Sequence, residues 1–176
     1  MKLTLSGDHL NSTYADESGR VLYKVHTTST LPGGSTTVTK LLPDDIPRRE
    51  DESGSGCRGD RFAHFARVDW KSYHIFAHGE EIATKKLFRR EGWKRHRVFV
   101  GEDGKEYKWV LGPRHSELQL NDGSRTQVAK FHQRNILGIF GEKKSAVLEI
   151  FPAGETMIDA IMLTFVYVET ARRREK

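Results

Sequence analysis

Eight histidines, one cysteine and a run of cations are the side chains of this sequence whose chemistry could reach beyond packing. The histidines are scattered: His9, His26, His64, His74, His78, His96, His115 and His132. No pair has the His-Glu-x-x-His spacing that sets two imidazoles on one helical face around a metal. His64, His74 and His78 are close enough in sequence to meet across a hairpin, and His78-Gly79-Glu80-Glu81 adds two carboxylates. A hydrolase or metal-dependent enzyme built on these three histidines is one reading. Solvated or hydrogen-bonded histidines are the other. Cys57 is the one cysteine, so neither an internal disulfide nor a cysteine-rich zinc site can form. No Gly-x-Ser-x-Gly elbow, P-loop or dinucleotide glycine pattern occurs. These motifs call for no metal and no cofactor, and a non-enzymatic protein is expected.

The positive signal is charge. The chain carries 29 Lys and Arg against 24 Asp and Glu, a net +5, but unevenly. Residues 85–97, KKLFRREGWKRHR, set seven cations against Glu91 alone. Phe88 and Trp93 are interleaved with them. Cations attract phosphates, while aromatic rings can enter a membrane interface or stack on bases. The candidate anion-binding residues are Lys85, Lys86, Arg89, Arg90, Trp93, Lys94, Arg95 and Arg97. An anionic lipid headgroup such as a phosphoinositide, a protein partner, or a nucleic acid bound through 85–97 would each suit this segment. The competing reading is a solvated hairpin whose Phe88 and Trp93 face the core. A second basic cluster, Arg172 to Lys176, would complement a helix C-terminus and aid solubility.

These residues need elements to hold them, and most segments read as strands. Runs of alternating or β-branched residues are separated by Gly, Asn and Asp turns. Strands are predicted at 2–5, 12–16, 21–28, 36–41, 62–70, 73–77, 85–88, 98–100, 107–111, 117–120, 127–132 and 146–151. Three stretches echo one another, opening at Asp16, Asp103 and Asp122. Each has a turn glycine (Gly19, Gly104, Gly123) and then a strand whose Lys (Lys24, Lys108, Lys130) sits between apolar residues. Glycine accepts the positive φ of a tight hairpin, and period-2 alternation turns each Lys to solvent. Residues 42–60 contain Pro43, Pro47 and three glycines among many charges, and read as a flexible charged loop. Arg58-Gly59-Asp60 within it is not taken as an adhesion motif.

The C-terminal segment differs. Thr156 and Asp159 match a capping box, and residues 157–168 are almost wholly apolar. Twelve helical residues span about 18 Å, too short for a bilayer but suited to the centre of a domain. A buried strand at 163–168 is the alternative, given its β-branched and aromatic residues. A helix apolar on every face must be enclosed on every face. The expected fold is therefore mainly β, a β-rich α+β domain. A closed antiparallel barrel of about ten to twelve strands would surround a central apolar C-terminal helix in one domain, 1–176. With no signal peptide and no apolar run of membrane-spanning length, a soluble cytoplasmic protein is expected.

Five stretches also carry a resemblance. They are Lys2-Leu3-Thr4-Leu5, residues 19–25 (GRVLYKV), 103–109 (DGKEYKW), 128–132 (VAKFH) and 160–169 (AIMLTFVYVE). In this order the chain resembles a fungal family of mushroom-forming species, catalogued as domain of unknown function 6593. The resemblance spans nearly the whole sequence and implies a basidiomycete-type source, with no activity or catalytic residue to carry over. More distantly, many strands followed by one apolar helix is similar to the tubby C-terminal, LURP-one-related and phospholipid-scramblase group. That likeness implies a barrel of about twelve strands around its last helix. Tubby domains bind phosphoinositides through basic residues, but no such residue here can be matched one by one.

Overall fold

The computed structural model describes residues 1–29, 31, 33–43, 60–92, 96–112, 115–133 and 145–174. Its strands are β1 (Lys2–Leu5), β2 (Ser12–Ala15), β3 (Val21–Thr27), β4 (Ser35–Leu41), β5 (Phe62–Asp69), β6 (His74–Ala77) and β7 (Glu80–Ala83). A one-turn helix α1 (Thr84–Leu87) leads to β8 (Arg89–Glu91), β9 (His96–Val100), β10 (Glu106–Leu111), β11 (His115–Leu120), β12 (Gln127–His132) and β13 (Val147–Ile150). A 3-10 turn (Pro152–Met157) then feeds the long helix α2 (Ile158–Arg174).

All thirteen strands form one antiparallel sheet of two meanders, β1–β7 and β8–β13, joined where β1 pairs with β13. Lys2, Leu3 and Thr4 lie opposite Glu149, Leu148 and Val147 in that junction. The expected turns are present. Gly19, Gly104 and Gly123 have φ of 86°, 76° and 90° at the β2–β3, β9–β10 and β11–β12 connections. Lys24 is exposed between buried Tyr23 and Val25, and Lys108 and Lys130 likewise stand outside neighbours that point inward.

The sheet wraps α2. Phe165 has no exposed surface and meets the rings of His9, Tyr14, Trp109 and Phe131, which come from widely separated parts of the sheet. Ile161, Met162, Phe165, Val166 and Val168 are all fully buried along one half of the helix, and buried Thr164, Tyr167 and Thr170 complete its circumference. The one polar group at mid-helix, Thr164, accepts a hydrogen bond from Trp109 Nε1 (3.0 Å) and donates to the carbonyl of Ala160 (2.7 Å). A buried hydroxyl needs such partners.

Three expectations are corrected. The barrel is not closed: β7 and β8 are the two edges of the sheet, with no ladder between them. The segment expected as a strand at 85–88 is instead α1 and its cap. Thr84 N–H donates to the Tyr73 carbonyl and Phe88 N–H to the Thr84 carbonyl, so this backbone is engaged within the turn and not across the seam. The strands β7 and β8 on either side are too short and too charged to stand out in the sequence. Thr156 is not a helix cap, because it falls inside the 3-10 turn. Asp159 instead accepts from Tyr23 Oη and from Lys40 Nζ, tying β3 and β4 to the start of α2. As the basic cluster implied, α2 runs on past the apolar stretch through a cationic last turn to Arg174. Residues 44–59, most of the expected charged loop, lie outside the described residues. Among the described residues no helix is long and apolar enough to cross a membrane.

The enclosure of α2 makes one outcome specific. Phe165→Asp places a carboxylate among four rings. The burial penalty of several kcal/mol rivals a total stability of about 5–15 kcal/mol. Expression of this variant should yield no folded protein; a melting transition matching the parent would disprove the central position of the helix.

Candidate functional site

The open seam between β7 and β8 holds a cavity of about 620 Å³. Its floor is aromatic. Tyr167 of α2 is sandwiched between Trp70, after β5, and Phe88, before β8. The ring centroids are 6.2 and 5.0 Å apart and the planes within 10° and 11°. Such offset stacks are favourable beyond their buried area. Trp70 is fixed further by its Nε1–H, which donates to Thr36 Oγ1 at 2.9 Å. Three rings thus plug the seam where hydrogen bonds would have closed a barrel.

The walls are cationic. Lys85 from α1, Arg90 from β8, Arg97 from β9 and Arg174 from the last turn of α2 all line this cavity, and among the described residues no carboxylate does. The Arg174 guanidinium lies 4.6 Å from the Trp70 ring centroid. Stacked there it keeps its donors available, since a guanidinium bonds only in its own plane. Arg97 is only 2% exposed. His96 adds no charge at neutral pH, because burial and then the nearby Lys108 ammonium hold its imidazole below the usual range.

The eight residues expected to bind anions therefore separate. Lys85, Arg90 and Arg97 reach the cavity. Lys86 is exposed on α1 and does not line it. Arg89 is engaged by Glu106, whose two oxygens lie 2.9 and 2.8 Å from Nη2. Trp93, Lys94 and Arg95 lie outside the described residues. Phe88 is 5% exposed and belongs to the core, so its place in the basic run reflects packing, not an aromatic offered to a ligand. Sequence reasoning missed Trp70, Tyr73, Tyr167 and Arg174. In the structure Tyr73 is half exposed at a φ of 56°, neither of which the sequence shows. Nothing local placed Arg174 beside Lys85, since only the path of α2 through the sheet brings them together.

Arg172, Arg173 and Arg174 form the last turn of α2, the expected basic helix end, and the first two also have structural partners. Arg172 is 5% exposed and grips fully buried Glu169 through Nε (2.8 Å) and Nη2 (2.6 Å). Glu169 also accepts from Ser116 Oγ (2.9 Å) and Arg173 Nε (3.0 Å), while Arg173 Nη1 reaches Asp8 at 2.6 Å. The network fixes the helix end from which Arg174 projects. The histidine alternative finds less support in the geometry. His64 and His78 line one concavity with Glu80, whereas His74 binds Glu81 at 2.5 Å. Among the described residues no three His, Cys, Asp or Glu are grouped to hold a metal ion.

A thirteen-stranded antiparallel sheet wound around a buried C-terminal helix, with a cationic cavity at its seam, defines the class of protein. The chain belongs to the family of unknown function DUF6593, whose model matches residues 7–174. Among solved structures, the chain is similar to a protein from Arabidopsis thaliana known from an X-ray structure. The two are 12% identical, with 97% of this chain and 90% of that chain covered at a TM-score of 0.45, a likeness that carries no argument. No curated protein matches.

The Glu169 network gives a pH-dependent stability. Burial alone would raise the Glu169 carboxyl, but the Arg172 guanidinium outweighs it and holds the group below the ordinary carboxylate range. Asp8 is held low chiefly by His9. With folded values below the unfolded ones, this stabilisation is full above about pH 4.3 and is lost as pH falls through the folded values. Glu169→Gln leaves Arg172 a buried uncompensated charge. Urea titration at neutral pH should show a loss of about 3–5 kcal/mol. Below pH 4 the gap to the parent should narrow, and a constant gap would count against the assignment.

Proposed function

We propose that this protein is a non-enzymatic binding module that takes a phosphate-bearing anion in the seam cavity, with a phosphoinositide headgroup as the favoured ligand. The observation that carries the reading is the convergence of Lys85, Arg90, Arg97 and Arg174, from four separate elements, on one cavity with no carboxylate among the described residues of its lining. Clustering like charges costs free energy unless an anion or solvent relieves it. A recess of about 620 Å³ is within the size range of small-molecule sites.

The likeness to the tubby group, in which basic residues engage phosphoinositides, supports a lipid headgroup. That relationship, a fungal source, and the action of residues 1–176 as one domain are proposals on the same footing. A nucleic acid is less well matched, since stacking along a strand needs several exposed ring faces, and of the cavity's rings Phe88, Trp70 and Tyr167 are buried while Tyr73 alone among the described residues is half exposed.

Sedimentation with phosphatidylcholine vesicles, with and without phosphatidylinositol bisphosphate, tests this. The parent should pellet only with the anionic lipid. Each cation near an anionic surface contributes about 1 kcal/mol, so Lys85→Ala, Arg90→Ala and Arg174→Ala combined should weaken binding about a hundredfold. Unchanged binding by the triple variant would refute the site. A steeper affinity for RNA than for lipid, collapsing with salt, would move the reading to nucleic acid.

A further inference from the structure

The other end of α2 carries a second cavity, of about 780 Å³. It lies between the first turn of α2 with its 3-10 lead-in, strands β3 and β4, and the β9–β10 turn. Much of its wall is apolar, from Leu22, Leu41, Leu42, Pro43, Met157 and Ile158. This combination of an apolar wall and a few polar groups is that of a small-molecule site.

Tyr23, Lys40 and Asp159 line the same cavity. Asp159 Oδ1 accepts from Tyr23 Oη, and Oδ2 accepts from Lys40 Nζ at 2.6 Å. These bonds do not exhaust the groups. An ammonium has three protons and a carboxylate about four lone-pair sites. The side chains of Lys40 and Asp159 are 43% and 36% exposed, so spare donors and spare acceptors stand side by side. Their charges cancel. Elsewhere in the described lining, Glu102, Asp103 and Glu155 outnumber Arg20. Asp103 accepts from Tyr107 Oη at 2.9 Å; burial first, then this carboxylate, pushes the Tyr107 phenol up to about 12, so it stays neutral.

An anionic head would face these carboxylates. A cationic head would face Lys40 at the polar patch. A hydroxyl or primary amide meets neither obstacle, because it donates to Asp159 and accepts from Lys40 at once. We infer that this cavity binds a neutral amphiphile, with an alcohol or amide head on the Lys40–Asp159 pair and an apolar body along Leu22, Leu41, Met157 and Ile158. The site is separate from the seam cavity and stands whether or not that cavity binds anions.

Titration of the full chain with 1-octanol, octanoate and octylammonium, followed by backbone amide shifts in NMR, separates the possibilities. Octanol should shift the amides of Leu22, Leu41, Ile158 and Ala160 saturably, with the two charged analogues at least tenfold weaker. Lys40→Met leaves the Asp159 carboxylate without its cation. Octanol should then bind at least tenfold more weakly and octylammonium should become the tightest of the three. Ile158→Trp, which fills the cavity, should abolish the octanol shifts, and Arg90→Ala at the seam should leave them intact. The inference is overturned if octanol moves none of these amides, if octanoate binds as tightly, or if Lys40→Met leaves the ranking unchanged.

Discussion

The burial of α2 on every face is the constraint from which the rest of the structure follows. A helix with Phe165 and Met162 buried on one side and Thr164, Tyr167 and Thr170 buried on the others cannot be satisfied by packing on a flat sheet. A sheet must curve around it, and strand edges must come towards one another on the far side. The two meanders do this from a single junction, β1 against β13. Trp109, Phe131, Tyr14 and Trp70 reach inward from separate strands and turns to the same helix. Deleting any one of these rings leaves a void that its neighbours can fill only in part.

The same constraint explains why the sheet stops short of closure. Across the seam the space beside α2 is occupied by Tyr167 between Trp70 and Phe88, a layer of rings in place of a ladder of backbone bonds. The chain passes from β7 to β8 through the single turn of α1, whose backbone groups are bonded locally. Unpaired edges invite association, and charged side chains such as Glu80, Glu81, Arg89 and Arg90 on these two edges oppose it. Closure would have left no recess there. Its absence puts cations from α1, from β8 and β9, and from the helix end around one cavity.

The two ends of α2 differ in charge as its dipole requires. Asp159 stands in the first turn and Arg172, Arg173 and Arg174 in the last. Each set is also used in three dimensions. Asp159 ties β3 and β4 to the helix, and Arg172 and Arg173 hold Glu169 within the core. The two cavities therefore differ in character: the charged groups lining the seam are, among the described residues, all cations, while the opposite cavity mixes both signs around an apolar wall.

Local sequence determined much of the fold. Period-2 alternation and the Asp-Gly turns located most strands, because side-chain direction and the φ of glycine are local properties. The unbroken apolar run located the helix and required its enclosure. Local sequence also marked Lys85, Arg90 and Arg97 as cations worth attention. It could not separate them from Arg89, which faces Glu106, nor tell that Phe88 points inward, since both depend on strands paired across the chain. Whether the edges meet, and what fills the gap, was decided only in three dimensions. Closure depends on the bulk of Trp70, Phe88 and Tyr167, three residues far apart in sequence that pack as one layer. Arg174 joins Lys85 for the same reason, since the distance between two cations is set by the path of the helix and not by any pattern in the residues between them.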